Sequence, residues 1–262
     1  MARKQASKLR PIRLCFDRIL TNSEKICAAN LARKENPANT PKPQKQLFGV
    51  SAHPFKMAIQ TGKRWKNGRV LKVYFLDGSA IQKQRVRDHA LHWMSFANIK
   101  LNFDATRANS DVRISFKADS GSWSYIGTDN LGIPKTQPTM NFGWLRDDTD
   151  DQEYERVVVH EFGHALGCIH EHQNPRGGIK WNEAAVYRYF GGPPNNWSHA
   201  ETFHNVIEKY SVDQLNASTY DRLSIMLYAF PGELIQGGRP TPENTHLSTR
   251  DKSFIRSIYP KV

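Results

Sequence analysis

Three histidines and one glutamate in the middle of the chain have the types and spacing of a metal centre. His160, Glu161, His164, Gly167 and His170 form the pattern H-E-x-x-H-x-x-G-x-x-H. On a helix, His160 and His164 lie one turn apart on the same face, so both imidazoles can reach one ion. Glu161 is rotated about 100° from His160 around the helix axis, so it can stand beside that ion without ligating it.

The third histidine requires the helix to end. Six residues past His164, a continuous helix would rotate His170 about 240° away from the first two. Gly167 can adopt the left-handed conformation that ends a helix, after which the chain doubles back. Three neutral imidazoles with one position open to water are the ligand set of a catalytic zinc. The pattern therefore predicts one Zn²⁺ on His160, His164 and His170.

The neighbouring carboxylate gives this centre a predicted activity. Zinc lowers the pKa of a bound water to about 7, and Glu161 can take its proton as the water attacks a peptide carbonyl. His172 is an alternative third ligand, but the spacing favours His170. The competing interpretation, an amphipathic helix that happens to carry histidines, would bury polar groups without a shared role, which is costly.

Hydrophobic patterning predicts the elements that must position this centre. The near-continuous apolar run Val70–Leu76 indicates a buried strand, and apolar residues from Val86 to Ala97 recur at helical spacing. Further strands are predicted at Lys100–Ala105, Asp111–Lys117 and Thr139–Trp144, and further helices at Trp181–Phe190 and Leu247–Tyr259. This order predicts an α+β fold, with a mixed twisted sheet, an active-site helix and a C-terminal helical part.

The strand at Thr139–Trp144 is predicted to form an edge of that sheet beside the metal helix. An exposed edge can hold a peptide by pairing with it as an additional strand. We therefore expect Asn141→Pro to raise KM on peptides without changing the zinc content. On the preceding helix, His89 and His92 are expected to be surface or core residues and not ligands.

The acidic run at residues 147–151 directly precedes the metal helix. Negative charge is favourable at the positive N-terminal end of a helix. This electrostatic role is favoured over a calcium site.

Residues 1–47 differ in charge from the rest of the chain. They hold 11 Lys/Arg against 3 Asp/Glu, whereas the remainder holds 26 against 22. A nucleic-acid site would interleave basic and aromatic residues on a folded face, and Phe16 is the one aromatic residue before Phe48. Nucleic acid is therefore not expected as the main partner. We predict a basic arm and linker at residues 1–47 and a catalytic domain at residues 48–262.

Two interpretations of this arm remain open. Leu14–Leu31 can form a short helix, and the Pro-, Asn- and Lys-rich part that follows is typical of a linker. The arm is either a pro-segment that covers the active site or a disordered basic arm, and the second is favoured. Three cysteines (Cys15, Cys27 and Cys168) are too few for a disulfide framework, although a Cys15–Cys27 bridge is compatible with the sequence.

The sequence predicts no transmembrane segment, because no run is long and apolar enough to span a bilayer. Asp17 and Arg18 interrupt the apolar residues near the N-terminus, so no signal-peptide core is expected. The compartment and the oligomeric state are left open.

Taken together, these motifs resemble a known family. Residues from about 65 to 260 are similar to the metzincin zinc endopeptidases, and most similar to their astacin-like branch. Glu171 follows the zinc motif as it does in astacins. Ser224-Ile225-Met226, with Tyr228 two residues after the methionine, resembles the Met-turn, and Leu247–Asp251 resembles the start of the closing helix.

The resemblance implies a metzincin (zincin-like) fold, a zinc cofactor, protein or peptide substrates and an extracellular location. It also implies that Tyr228 stabilises the oxyanion near the metal, with a plain core role as the alternative. Two features depart from the family: Cys168 replaces the usual aromatic residue after the motif glycine, and three cysteines cannot form the expected disulfides.

Two other functions compete with this prediction. One is a zinc-binding module that has lost catalysis, against which the presence of Glu161 argues. The other is a basic adaptor that binds anionic partners through residues 1–47.

Overall fold

A mixed sheet of five short strands carries the helices of the described chain. The computed structural model describes residues 14–16, 18, 20–40, 62–118, 120–193, 195–209 and 219–261. The strands are β1 (Val70–Phe75), β2 (Lys100–Asn102), β3 (Val112–Ser115), β4 (Ser122–Ser124) and β5 (Met140–Phe142). Their spatial order is β2-β1-β3-β5-β4, with parallel pairing throughout except that β4 runs antiparallel to β5.

Six α-helices complete the described architecture and confirm the predicted α+β class. They are α1 (Asn22–Glu35), α2 (Ala80–Ala90), α3 (Asp151–Ala165), α4 (Glu183–Phe190), α5 (His199–Thr202) and α6 (Thr249–Ile258). Helix α3 packs against α2, β4 and β5 and carries the first two predicted ligands. Across the described ranges, no helix combines the length and apolarity needed to cross a bilayer.

Strand β3 is more deeply buried than its alternating sequence predicts. Val112, Arg113, Ile114 and Ser115 are all buried. The Arg113 guanidinium is satisfied locally, donating to main-chain carbonyl oxygens that include Gln137 O at 2.8 Å. An interior strand can therefore hold a charged side chain because its donors find partners inside the fold.

The edge role predicted for Thr139–Trp144 is wrong. Its strand, β5, lies between β3 and β4, and Asn141 is fully buried. The Asn141 amide donates to the carbonyl oxygens of Lys117 (3.1 Å) and Gly121 (2.6 Å), so it holds the loop that leads to β4. The edge strand is β4, whose three residues are too few and too polar to show a strand pattern.

Part of the N-terminal arm is folded against the domain. Helix α1 begins at Asn22, where the prediction had a helix from Leu14, and it buries Ala28 and Ala32. It packs against the 3₁₀ segment Gly127–Gly132. The favoured interpretation of a disordered arm therefore does not hold for residues 20–40. The predicted boundary between residues 47 and 48 lies outside the described residues.

The C-terminal end of α3 is tied to both ends of the folded domain. Trp65 Nε1 donates to Ala165 O at 2.7 Å, and the Tyr259 hydroxyl donates to Leu166 O at 2.8 Å. Trp65 N in turn donates to the Tyr259 hydroxyl at 3.1 Å. The last carbonyls of a helix lack partners within the helix, so these two buried aromatic residues satisfy the end from which the third ligand departs.

Replacing Tyr259 by phenylalanine is expected to lower the free energy of unfolding by about 1–3 kcal/mol. The change leaves Leu166 O without its donor and Trp65 N without its acceptor, both in the interior. Urea denaturation of this variant should be compared with that of Tyr74→Phe, which removes a hydroxyl from the partly exposed face of β1. Equal stability of the two variants would contradict the assignment.

Candidate metal centre and active-site cleft

The three predicted ligand histidines converge on one point. His164 Nε2 lies 3.2 Å from His160 Nε2 and 3.0 Å from His170 Nε2, and all three side chains are buried. Ligand atoms bound tetrahedrally to zinc at about 2.0–2.1 Å stand about 3.3–3.4 Å apart. The spacing of the three nitrogens therefore fits a zinc ion.

The other ring nitrogen of each histidine fixes its orientation. Each Nδ1 faces an oxygen acceptor, so Nδ1 carries the proton and Nε2 keeps its lone pair for the ion. Burial, followed by the nearby His164, lowers the pKa of His160 and His170 well below the ordinary value, which favours the neutral form. The acceptors are Ile225 O for His160 (2.8 Å), Cys168 O for His164 (2.9 Å) and Gln173 Oε1 for His170 (3.3 Å).

Gly167 ends the metal helix as its position predicts. Its φ is +100°, and α3 stops at Ala165. Gly167 N donates to His164 O at 2.8 Å and Cys168 N donates to Gly163 O at 2.9 Å. These two bonds are those of a helix terminus closed by a left-handed glycine, and they turn the chain back towards His170.

Replacing Gly167 by alanine is expected to weaken zinc binding as well as folding. A side chain at this φ is strained by about 1–2 kcal/mol, and relief of that strain would displace His170. Gly237→Ala is the matched control, because Gly237 has φ +87° and open space around it. Both variants should lose similar stability, while competition with a chelator should show faster zinc loss only for Gly167→Ala. Equal zinc retention would contradict this role.

A turn beneath the histidines corresponds to the predicted Met-turn. A Cβ on Gly163 would meet Met226 Sδ at 2.4 Å, so the methionine packs directly against the helix between His160 and His164. The Asp251 carboxylate of α6 accepts from Ser224 Oγ at 2.6 Å and from Ile225 N at 2.8 Å. Helix α6 therefore fixes the turn whose Ile225 carbonyl orients His160.

Glu161 and Tyr228 reach the same side of the histidine cluster. Glu161 is 1% exposed, and the Tyr228 hydroxyl contacts His170 Nε2. Trp144 and Arg156 line a small cavity together with Glu161 and Tyr228. Tyr228 also belongs to the buried aromatic cluster behind the site, so the core role considered for it accompanies its place at the centre.

His172 and Glu171 take structural positions beside the ligands. His172 Nε2 lies 3.0 Å from Asn205 O, behind the His170 ring. The Glu171 carboxylate accepts from Asp221 N at 2.7 Å and from Asn174 Nδ2 at 3.0 Å. Burial raises the pKa of Glu171 to about 7.

Sequence reasoning missed Cys15 as a member of the site. Its Sγ and one nitrogen of each predicted ligand histidine all lie within 4.8 Å of one another. The Sγ also donates to Glu161 Oε2 at 3.2 Å. All three cysteines are thiols, so the Cys15–Cys27 bridge is not formed. The one local signal for Cys15 is its place between two apolar residues in a basic, polar arm.

Comparison with known proteins gives a consistent set of relatives. The family model "Astacin", which describes a peptidase family, matches residues 57–178. A structure of myroilysin is 42% identical, with a TM-score of 0.74, and the match covers 76% of this chain and 97% of that one. A second myroilysin crystal structure is 39% identical, with a TM-score of 0.59, and the match covers 76% of this chain and 86% of that one.

A more distant relative shows the same fold. High choriolytic enzyme 1, a hatching enzyme zinc-protease from Oryzias latipes (medaka fish), is 18% identical, with a TM-score of 0.51. The match covers 84% of this chain and 98% of that one. No curated protein sequence matches this chain.

Proposed function

Because the chain belongs to the astacin family of peptidases and is a zinc-dependent metalloendopeptidase, we propose that it cleaves proteins with Glu161 as general base and Tyr228 as oxyanion donor. The proposed zinc ligands are His160, His164 and His170. The observation that carries this proposal is the convergence of three Nε2 atoms on one point beside the buried Glu161 carboxylate.

Glu161 is suited to the proton transfers of peptide hydrolysis. Zinc supplies a Lewis acid and a water whose pKa is lowered to about 7. Glu161 Oε2 already accepts a hydrogen bond from a group that lies among the predicted ligand nitrogens. From this position the carboxylate takes the proton of the attacking water and later gives it to the nitrogen of the leaving amine.

The Tyr228 hydroxyl is suited to bind the oxygen of a peptide carbonyl. It donates at 2.9 Å to the main-chain carbonyl oxygen of Cys15, beside His170. A substrate carbonyl in that place would receive the same donor, and the bond would strengthen as negative charge develops on the oxygen.

Replacing Tyr228 by phenylalanine is expected to lower kcat by about 10²-fold while the zinc content stays at one ion per chain. The loss is that of a single oxyanion donor. Steady-state kinetics on a peptide and metal analysis measure the two quantities. Tyr187→Phe, on helix α4, is the control for loss of a tyrosine hydroxyl elsewhere. If kcat is unchanged, the role of Tyr228 is confined to the core.

We assign substrate binding to strand β4 in place of β5. Strand β4 is an edge of the sheet, and its Ser122 forms a bridge of parallel β-type with Cys15 of the arm. An extended substrate can pair with the same main-chain groups. The proposed division of the chain is a pro-segment at residues 1–47 and a catalytic domain at residues 48–262.

Digestion of casein with and without a chelator tests the function as a whole. We expect cleavage that stops on chelation and returns when zinc is added. A zinc-binding module without catalysis would bind the ion and leave casein intact. The test should include the Cys15→Ala chain, in which the fourth position at the metal is open to water.

A further inference from the structure

We propose that Cys15 is the fourth ligand of the catalytic zinc in the full chain and that the N-terminal arm thereby keeps the enzyme latent. This inference rests on the proposed function and adds its regulation. It starts from the only thiol that meets the three histidines in the described part of the chain. A thiolate is a strong zinc ligand, and sulfur with three imidazoles completes a closed tetrahedral set.

One arm residue engages each group that catalysis requires. The Cys15 thiol lies at the open side of the histidine cluster and donates to Glu161, the proposed base. The Cys15 carbonyl oxygen accepts from the hydroxyl of Tyr228, the proposed oxyanion donor. No water can be bound and activated at a centre whose metal position, base and donor are all engaged by the same residue.

The arm also occupies the proposed substrate strand. Cys15 pairs with Ser122 of the edge strand β4 in parallel orientation. The Arg18 guanidinium lies 4.6 Å above the Trp123 ring of the same strand, which adds a cation–π contact. Leu14 and Cys15 are buried in the cluster that contains Trp123 and Tyr228. A substrate must displace this segment to reach β4.

A separate anchor holds the arm close to the cleft. Asn39 is buried, and its side chain accepts from Arg64 N at 2.9 Å and donates to Arg64 O at 2.8 Å. The Asn36 amide donates to Trp65 O at 3.0 Å, and Glu35 pairs with Arg69 at 3.3 Å. Because the inhibitory residue and this anchor belong to one chain, the thiol is presented to the metal at high effective concentration.

Activation is then an exchange of ligands at one position. When the arm leaves, the Cys15 thiolate takes up a proton and a water molecule enters the vacated position. Glu161 loses its thiol partner at the same moment and becomes available to that water. The exchange involves no oxidation and no covalent bond within the protein chain.

Metal spectroscopy of the full chain tests the ligand directly. X-ray absorption at the zinc edge should show one sulfur at about 2.3 Å together with three nitrogens. In cobalt-substituted protein, a thiolate-to-metal charge-transfer band should be present. Both signals should vanish in Cys15→Ala and persist in Cys27→Ala, which changes an exposed thiol of α1. A first shell of nitrogen and oxygen alone in the unmodified chain would overturn the proposal.

Activity provides the second measurement. Full-length Cys15→Ala should cleave casein at least about tenfold faster than the unmodified chain, whereas Cys27→Ala should match the unmodified chain. Equal activity of Cys15→Ala and the unmodified chain overturns latency through this thiol when both are active. If both are inactive although sulfur is bound, the proposed function fails and the ligand assignment stands.

A second cluster of metal-ligating side chains lies outside this centre. His89 at the end of α2 and His92 in the following turn meet Glu155 of α3, with ligand atoms within 4.8 Å of one another. His246 Nδ1 lies 2.6 Å from Glu155 Oε1, and His92 Nδ1 lies 3.2 Å from the same oxygen.

His89 carries the observation that points to an ion. It is 8% exposed, and its Nε2 lies 3.0 Å from Asp151 Oδ1. A carboxylate accepts the ring proton, so Nδ1 keeps a lone pair, and this Nδ1 is buried without a hydrogen-bond partner. A carboxylate on one ring nitrogen and an ion on the other is the usual setting of a metal-bound histidine.

We infer that His89, His92 and Glu155 bind a divalent transition metal ion of the kind that imidazole prefers, with His246 as a further ligand. Such an ion would join the end of α2 to the metal helix α3. The earlier expectation that His89 and His92 are not ligands would then be wrong.

Counting metal ions tests this second site. After gel filtration in zinc-containing buffer and brief dialysis, the full chain should hold two zinc ions. His92→Ala should hold one, with unchanged proteolysis, and His199→Ala, at an exposed position outside the cluster, should hold two. One ion in the unmodified chain, or two in His92→Ala, would overturn the assignment.

Discussion

Replacing Glu161 by glutamine is expected to lower the rate of casein cleavage by about 10²–10⁴-fold, while the zinc content stays at one ion per catalytic centre. The amide cannot take a proton from water, and general-base catalysis contributes a factor of that size. The change should be made in the Cys15→Ala chain, because there the thiol no longer engages the metal position or the carboxylate.

The measurement compares Cys15→Ala with Cys15→Ala/Glu161→Gln. Zinc content, thermal midpoint and the rate of cleavage should be determined for both. Glu183→Gln, at an exposed position on α4, serves as the control for the loss of a carboxylate. If the Glu161 variant retains most of its activity, Glu161 is not the base, and a different group must accept the proton of the water.

The metal centre could be predicted from the sequence because most of its geometry is local. The i, i+4 spacing of His160 and His164 places two imidazoles on one helix face, and Gly167 ends that helix in the conformation that only glycine adopts readily. His170 follows within three residues. These constraints act over a single stretch of chain, so a sequence pattern can contain them.

The inhibitory contact could not be predicted in the same way. Cys15 meets Glu161 across 146 positions of sequence, and the contact depends on how the arm pairs with β4. A single cysteine carries no spacing from which a ligand role can be inferred. The favoured disordered arm followed from charge and composition, which do not register the buried alanine face of α1.

Sheet order was the other property that the sequence left undetermined. Strand β5 shows clear alternation and was assigned to the edge, but β4 pairs with its outer side. The residues of β4 are held through Asn141, whose amide bonds to Gly121, and through Ser122 Oγ, which accepts from Gly143 N at 3.1 Å. Side chain to main chain bonds of this kind can define a strand that has no hydrophobic period.

Replacing His164 by alanine is expected to abolish zinc binding at the catalytic centre and, with it, activity. His164 Nε2 is the central ligand atom, since it lies 3.2 Å from one partner nitrogen and 3.0 Å from the other. Two remaining imidazoles bind zinc far more weakly than three, so the ion should be lost on dialysis against a weak chelator. The thermal midpoint should then rise less on addition of zinc, because binding at this centre no longer contributes to stability.

His172→Ala is the matched control, since it removes the neighbouring histidine that the sequence offered as an alternative third ligand. His172 stacks on His170 with a centroid separation of 5.2 Å, and its Nε2 faces Asn205 O. This variant should keep the catalytic zinc and lose only stability, because the ring packs between His170, Trp181 and Phe230. Loss of the ion from His172→Ala together with its retention in His170→Ala would reassign the third ligand and move the open position of the metal away from Glu161.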